Sequence, residues 1–362
     1  MRLLPCLILA GLLLAGCDSN DSGMEGAPAA RAVLVANGGN FSDQNGSVST
    51  LNLETGGTST GPAMDGFVQA VVPADTLRLV LVNTFSGGRV DITGPDGTVL
   101  ASLEDIDAPR AAAIVDGTAY VTTFAFDGSG NVLAIDLATA ALTSTFATGS
   151  YPEGIAHASG RLIIANYGYI GSGRSVTVID LADGSAQERS IACDGPRDVV
   201  VSGEILNIVC LGKTVYNDDF SQILEQTGGQ VHFLNAVSLT ELDRIEYDHQ
   251  FGSTGGGQGA AASASELAVL DPQSEMIRRF ELETRTELSA WNFDNEGTYV
   301  GLSGIGFGSD RWFVGRMARS AGGPFPDYTA AGQLVEVRAA DGSVLAEHGV
   351  GQAPTHVAVI IQ

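Results

Sequence analysis

The chain has very little positive charge. Its 362 residues include 18 Lys and Arg, with Lys213 as the single lysine, against 42 Asp and Glu, and the formal net charge is −24. Such a surface repels phosphate backbones, so we expect no nucleic-acid partner. Solubility alone accounts for the excess of acids, because no clustered motif indicates a surface for cations.

Patterns for catalysis or metal binding are also scarce. Segment 57–61 matches the nucleophile-elbow pattern and 255–260 fits a dinucleotide fingerprint, but neither precedes a predicted helix. The Asp/Asn/Gly runs at 127–131 and 294–297 do not match an EF-hand loop, and turn formation explains them. We therefore predict no metal site and no cofactor. The histidines lack metal-ligand spacing: they are His157, His232, His249, His348 and His356.

A long apolar run occurs at the N-terminus alone. Arg2 precedes an apolar segment, 3–14, which is typical of a signal peptide and too short to be a stable membrane span. Leu-Ala-Gly-Cys at 14–17 resembles the lipobox of bacterial lipoproteins. That resemblance implies removal of residues 1–16 and lipidation of Cys17, whose acyl chains would anchor the protein. The alternative is an ordinary signal peptide with an incidental cysteine.

Residues 17–30 follow as a lipidated cysteine and a small, polar, acidic segment that cannot bury enough surface to fold. We interpret it as a flexible tether with a reach of roughly 20 Å. The expected location is the envelope of a Gram-negative bacterium, at the outer membrane or the cell surface. Asp18 leaves the periplasmic face of the inner membrane open as an alternative.

Internal repeats dominate residues 31–362. Segments 108–112, 151–155 and 195–199 share a proline at their second position, and 66–70 occupies the same slot one unit earlier. The intervals are 43, 43 and 44 residues. Each start precedes four short β-rich runs separated by polar turns, which is typical of a β-propeller blade.

Paired runs such as 161–166 and 175–181 resemble the YVTN repeat of YncE-like propellers. The resemblance covers residues 31–362 and implies an all-β, seven-bladed β-propeller. Further starts fall near Gly257, Gly301 and Pro354, and the last leaves a single strand. Because 31–37 reads as a second strand without a first, we predict that the C-terminal strand joins the N-terminal blade and closes a monomeric ring.

The connections between second and third strands are predicted to be long and uneven, at 37–46, 83–88, 123–130, 166–174, 211–229, 271–275 and 316–332. They hold ten of the 22 Phe and Tyr residues. Exposed loop aromatics anchor partners at low conformational cost, although the same rings can pack over the blade tops. The candidate binding residues are Phe41, Phe85, Phe124, Phe126, Asn166, Tyr167, Tyr169, Tyr216, Asn217, Asp218, Phe220, Arg319, Phe325 and Tyr328.

Two cysteines besides Cys17 lie in the predicted mature chain. Cys193 precedes a blade start and Cys210 ends the next second strand, which places both at one face. The oxidising envelope permits a disulfide, and two buried free thiols are the alternative. His157 and His356 lie on innermost strands, where they are structural residues or face the channel.

Three functions are compatible with this sequence. The first is a non-enzymatic binding lipoprotein that captures a small molecule or a protein partner on its long-loop face. Resemblance to YncE-like surface lipoproteins implies a corrinoid-type nutrient and an outer-membrane transporter as partner. The second is a lactonase-like or redox enzyme with a site at the channel mouth, which convergence of His, Glu and Arg from different blades would favour. The third is an assembly scaffold in the envelope.

Overall fold

The computed structural model describes residues 29–293 and 297–361, and this part is almost entirely β-strand. Its two helical segments are short 3₁₀ turns, η1 (Tyr169–Gly171) and η2 (Thr254–Gly256). No helix in these ranges has the length and apolar character needed to cross a bilayer. The predicted signal peptide, Cys17 and most of the tether lie outside the described residues.

Blade one begins with three antiparallel strands. Strand β1 is buried along its second half because it runs through the interior of the blade, whereas β3 is fully exposed at the outer edge. The strands are β1 (Ala30–Asn37), β2 (Ser47–Asn52) and β3 (Thr58–Thr60).

Blades two, three and four are regular four-stranded antiparallel sheets whose strands follow sequence order from the channel outward. Tight turns join the first two strands: φ is 47° at Asp116 and 77° at Gly117, as two-residue hairpins require. The strands are β4 (Phe67–Ala74), β5 (Leu77–Thr84), β6 (Gly87–Thr93), β7 (Val99–Ile106), β8 (Pro109–Val115), β9 (Thr118–Phe124), β10 (Gly130–Asp136), β11 (Ala141–Ala147), β12 (Pro152–Ala158), β13 (Arg161–Asn166), β14 (Ser175–Asp180) and β15 (Ala186–Ser190).

Blades five and seven carry insertions, whereas blade six is regular. In blade five, β18 and β19 form a separate hairpin, and in blade seven β28 is extended and pairs with two additional short strands. The strands are β16 (Pro196–Ser202), β17 (Ile205–Cys210), β18 (Thr214–Tyr216), β19 (Ile223–Gln226), β20 (Gln230–Asn235), β21 (Glu241–Glu246), β22 (Ala260–Ala262), β23 (Glu266–Asp271), β24 (Met276–Glu281), β25 (Thr286–Asn292), β26 (Tyr299–Val300), β27 (Ile305–Gly308), β28 (Arg311–Arg319), β29 (Pro326–Asp327), β30 (Ala331–Arg338) and β31 (Val344–Gln352).

The last strand, β32 (Pro354–Ile361), closes the ring. It pairs antiparallel with β1 and becomes the innermost strand of blade one, so that the sheet order is β3-β2-β1-β32. The innermost strands then contact one another in a closed circuit around the channel. The predicted seven-bladed propeller and its closure by the C-terminal strand are both confirmed.

The core lies between the blades. In the described residues, each of the seven blade interfaces has its own cluster of buried aliphatic and aromatic side chains. Middle strands such as β14 are buried on both faces because a neighbouring blade covers each side, whereas outer strands such as β15 are exposed. Each blade is therefore stabilised by its two neighbours, and the ring closes the last interface.

Several predicted boundaries were wrong. The connection at 83–88 is not a long loop, because β5 continues to Thr84 and β6 begins at Gly87. The innermost strand of blade six begins at Ala260 rather than near Gly257, and β27, which lines the channel in blade seven, begins at Ile305 rather than near Gly301. Glycine-rich segments precede both strands, and glycine permits the irregular backbone that replaces the expected first residues there.

Candidate functional site

Three charged side chains occupy the same repeat position in consecutive blades. Arg110, Glu153 and Arg197 each follow the proline that opens the innermost strand of blades three, four and five. Because β8, β12 and β16 pack side by side around the channel, the three side chains meet there. Each of these prolines pairs with the last part of the second strand, so the cluster lies towards the face that carries the long loops.

One carboxylate is shared between two guanidinium groups. Arg110 Nε lies 3.1 Å from each carboxylate oxygen of Glu153, and Arg197 Nε lies 4.0 Å from Glu153 Oε2. Arg110 Nη1 also donates to Gln69 Oε1 at 2.8 Å, and its guanidinium carbon lies 5.6 Å from the centre of the Phe124 ring. The Glu153 and Arg110 side chains are therefore held rigidly, since the bidentate contact fixes both position and plane.

Arg197 is less completely paired. It donates to the backbone carbonyl of Gly256, and its contact with Glu153 is at the limit of ion-pair distance. A guanidinium has five N–H donors, so Arg197 retains capacity for an acceptor in the channel. Its side chain is only 12% exposed, which makes any further charge-assisted hydrogen bond there stronger than one at the outer surface.

Asp198 and His356 add two titratable groups whose pKa values are shifted in opposite directions. Burial raises the pKa of Asp198 to about 6, against the opposing pull of Arg197. Burial lowers the pKa of His356 to about 4, so the imidazole is neutral near pH 7. Asp198 Oδ1 accepts from the Gly259 amide at 3.2 Å, whereas Asp198 Oδ2 and His356 Nδ1 are buried without a hydrogen-bond partner among the described residues.

These side chains line one cavity of about 170 Å³ at the channel mouth. Residues of blades one to six contribute to it, together with Gly257 and Gln258 of the connection that leads to blade six. Buried polar atoms without partners are rare in native proteins and usually contact water or a ligand. The cavity can thus bind a small polar molecule, and a carboxyl group whose pKa is near 6 can also exchange protons close to neutral pH.

Sequence reasoning did not assign Arg110, Glu153, Arg197 or Asp198 to a site. It used Pro109-Arg110, Pro152-Glu153 and Pro196-Arg197 only as repeat markers. The available signal was charge of alternating sign at one repeat position, because equivalent positions of consecutive blades are neighbours around a propeller channel. His356 was correctly placed on an innermost strand.

The candidate aromatic residues fall into separate groups on the long-loop face. Phe41 contacts Phe85, with ring centroids 5.1 Å apart, and Phe67 at 6.4 Å. Phe41 and Phe67 line a groove of about 580 Å³ with Tyr328 of blade seven. Phe41, Phe85 and Tyr328 are exposed, with 46%, 70% and 41% of their surface accessible. Blades seven, one and two therefore share one aromatic rim segment.

A second group lies over blades three and four. Tyr151 stands between Phe124 and Tyr169, with centroid distances of 5.0 and 6.0 Å. Phe124 also approaches Arg110, which links this group to the channel cluster. Tyr167 is half-buried and packs against the hydrophobic cluster between blades five and six instead.

The inserted hairpin of blade five carries the third group. The Tyr216 and Phe220 rings lie 5.7 Å apart, and the Asn217 side chain bonds to Ser221 and to the Gln222 amide within the same turn. Asp218 is exposed. This insertion is thus an ordered hairpin rather than an unstructured loop.

Four candidates remain. Phe126 and Phe325 are exposed, and Arg319 ends the extended strand β28, where its amide donates to the Thr298 carbonyl. Asn166 is buried and its amide donates to Ser175 and Thr177 of the adjacent strand, so it stabilises blade four and is not part of the loop surface.

The two described cysteines are bonded to each other. Cys193 and Cys210 have sulfur atoms 1.98 Å apart and Cα atoms 6.2 Å apart. His232 lies beside them, but its ring nitrogens contact Glu241 at 2.7 Å and Gln230 at 2.9 Å. This group belongs to the packing of blades four and five.

Solved structures with the same fold are numerous but distant in sequence. A protein of unknown function from Desulfotomaculum acetoxidans has a TM-score of 0.65 at 14% identity, covering 91% of this chain and 98% of that one. A protein from Lactobacillus plantarum has a TM-score of 0.58 at 15% identity, covering 91% and 99%. Apo AztD from Citrobacter koseri has a TM-score of 0.53 at 10% identity, covering 92% and 98%.

Identities this low show the shared fold alone. No model of a known protein family matches the chain, and no curated protein matches it. The chain is therefore defined by its architecture as a seven-bladed β-propeller similar to these proteins.

Proposed function

We propose that this chain is an envelope-anchored binding lipoprotein of the YncE-like type, whose propeller holds a small polar ligand at the channel mouth of its long-loop face. The observation that carries the proposal is the convergence of charged, amide and imidazole side chains from five blades on one cavity. Such convergence of a few polar groups in a concave site is typical of ligand recognition.

The polar atoms suggest the chemistry of the ligand. Arg197 retains donors for a carboxylate, and Asp198 Oδ2 is a buried acceptor available to a hydroxyl. Drug-sized ligands typically occupy sites of about 300–1,000 Å³, so a cavity of about 170 Å³ fits a smaller molecule. We propose a small hydroxycarboxylate.

Calorimetric titration of the full-length chain with lactate tests this proposal. We expect one site per chain, with at least tenfold weaker binding of the neutral lactamide and of lactate to Arg197→Met. Arg244→Met is the matched control, because Arg244 lies on the outer strand of the same blade and is 44% exposed. If neither lactate nor glycolate binds at millimolar concentrations, the proposed ligand class is wrong.

The corrinoid version of the binding function requires a different location. A corrinoid is far larger than the channel cavity, so it would have to lie across the exposed rings of Phe41, Phe85 and Tyr328. Titration with cobalamin and cobinamide tests this version. One-to-one binding that is lost in Phe41→Ala would support corrinoid capture, whereas an absence of binding heat would rule out a corrinoid as the ligand.

An enzyme is the second candidate, because Glu, Arg, Asp and His from different blades do meet at the channel mouth. Asp198, with a pKa of about 6, would accept a proton from water as that water attacks a lactone carbonyl. The ring C–O bond would break as Asp198 returns that proton to the leaving ring oxygen, and the hydroxycarboxylic acid formed would lose its acidic proton to solvent and leave as a hydroxycarboxylate. Hydrolysis of γ-butyrolactone, followed with a pH indicator, should be abolished in Asp198→Asn and retained in Arg244→Met. A rate equal to the buffer background would rule out this hydrolysis and leave the binding function as the proposal.

A further inference from the structure

A pocket of about 460 Å³ lies between blades one and two, on the outer side of the ring and separate from the channel. Its origin is the short outer strand of blade one. Strand β3 has three residues, whereas the outer strands of the other blades have five to nine. The missing length leaves part of blade two uncovered, and segment 61–65 crosses in front of it.

Arg78 lies inside this pocket and is only 9% exposed. Its Nη1 donates to Thr50 Oγ1 at 3.1 Å, and its Nε is buried without a partner. Among the residues that the structure describes, no carboxylate lies within ion-pair distance of it. Burial lowers the pKa of Arg78, an effect that Asp96 offsets only in part. A buried guanidinium without an ionic partner is costly, so an occupant that supplies a carboxylate would be bound favourably.

The second arginine of the pocket is already neutralised. Arg89 Nε lies 3.0 and 3.1 Å from the carboxylate oxygens of the buried Asp91. Two exposed acids, Asp65 and Asp96, remain at the rim. Hydrogen bonds from Thr98, with a smaller contribution from Arg78, lower the pKa of Asp96, which is therefore ionised at neutral pH. The pocket thus presents a positive charge inside and negative charges at its rim.

Much of the remaining wall is apolar, although Ser59, Thr60 and Thr93 add hydroxyl groups to it. Val48, Val80 and Met64 line it, with Pro62 and Pro95 nearer the edge. An occupant that matches the whole surface has a carboxylate, a cationic group a few bonds away, and an aliphatic part. An anion without the cationic group would face repulsion from Asp65 and Asp96.

We infer that this pocket binds an apolar α-amino acid as a zwitterion, with its carboxylate on Arg78, its ammonium towards the rim acids and its side chain against Val48, Val80 and Met64. This site is independent of the channel mouth. It would give the propeller a second ligand, bound between two blades and able to stabilise their interface.

Calorimetry of the full-length chain with L-leucine tests the inference. One leucine should bind per chain, and both N-acetyl-leucine, which lacks the cation, and leucinamide, which lacks the anion, should bind at least tenfold more weakly. Arg78→Met should weaken leucine binding at least tenfold. Arg338→Met should not change it, because Arg338 is 51% exposed on blade seven.

A second variant tests the pocket independently, so that the inference remains testable if Arg78→Met fails to fold. Ala63 is exposed and lines the pocket, so Ala63→Phe should fill the space and abolish leucine binding while Arg78 remains. We expect a Kd of about 0.1 mM, and a leucine concentration of about 10 mM is roughly 100-fold above it. The inference is overturned if no leucine binding is detected at that concentration. Unchanged leucine affinity in Ala63→Phe, or equal affinity for N-acetyl-leucine, would overturn it as well.

Discussion

Closure of the ring by β32 should dominate the stability of the whole propeller. Val357 lies at the centre of this strand, is 2% exposed and packs with Val35 and Phe313 in the cluster between blades seven and one. Val344 provides a matched position, because it lies on the outer strand of blade seven and is 53% exposed. The same Val→Ala change can thus be made inside and outside the closing interface.

The expected magnitudes follow from burial. Val357→Ala removes two buried methyl groups and leaves a cavity, which together should cost about 2–3 kcal/mol, whereas Val344→Ala should stay within about 0.5 kcal/mol. Deletion of residues 355–362 removes nearly all of β32 and exposes Val33 and Val35. Since domains are stable by only about 5–15 kcal/mol, that deletion should abolish the native fold.

Urea unfolding of the full-length variants measures these differences. Trp291 and Trp312 report by fluorescence from the cluster between blades six and seven, next to the closing interface, and circular dichroism reports the strands. One transition seen by both probes would confirm a cooperative ring. Equal destabilisation by Val357→Ala and Val344→Ala, or a folded and monomeric truncated chain, would refute the role assigned to β32.

Three further changes probe the channel mouth and the disulfide. Burial raises the pKa of Asp198 to about 6, so the ionised carboxylate destabilises the fold at pH 7 and this penalty disappears as the pH falls to 4. Asp198→Asn should therefore raise the free energy of unfolding, measured with urea, by about 1–3 kcal/mol at pH 7 and by little at pH 4. His356 gives the opposite pH dependence: its pKa is lowered to about 4, so protonation of the unfolded chain reduces the stability of the wild type as the pH falls from 6.5 to 4. His356→Gln should lose less stability over this range, and parallel pH profiles of the two proteins would contradict this. Cys193→Ala with Cys210→Ala opens a loop with a sequence separation of 17 and should lower the unfolding free energy by about 3 kcal/mol; an unchanged urea midpoint would be inconsistent with a stabilising bond.

The sequence predicted the fold well where the repeats are regular. Pro109, Pro152 and Pro196 open β8, β12 and β16 as expected, because proline tolerates the first position of an innermost strand, where no ladder donor is needed. The sequence repeat is weaker in blades six and seven, where glycine-rich connections replace the proline that opens the innermost strand in blades three, four and five. The hairpin in the blade five insertion carried too few residues per strand to be distinguished from a loop.

The sites were less predictable, for physical reasons. Exposed aromatic residues can be inferred from loop composition, and Phe41, Phe85 and Phe220 are indeed at the surface. The Arg78 pocket depends on the shortness of β3, which becomes visible only when that strand is compared with the other outer strands in three dimensions. Burial of an arginine cannot be inferred from its neighbours in sequence, because here a different blade supplies the covering residues.

The residues of the channel cluster share one repeat position, which is why the sequence alone did not reveal them as a site. Arg110, Glu153 and Arg197 are 43 and 44 residues apart, and no local motif connects them. Propeller symmetry brings the same repeat position of adjacent blades together at the channel, so a change of charge at that position becomes an ion pair between blades. In each blade the pairing between the first two strands shifts register at this position, so Arg110, Glu153 and Arg197 have no paired partner in the ladder and strand pairing does not require their charge. The cluster therefore adds a polar centre to the scaffold, and substitutions there should alter the affinity for the proposed hydroxycarboxylate and its pH dependence more than the assembly of the blades.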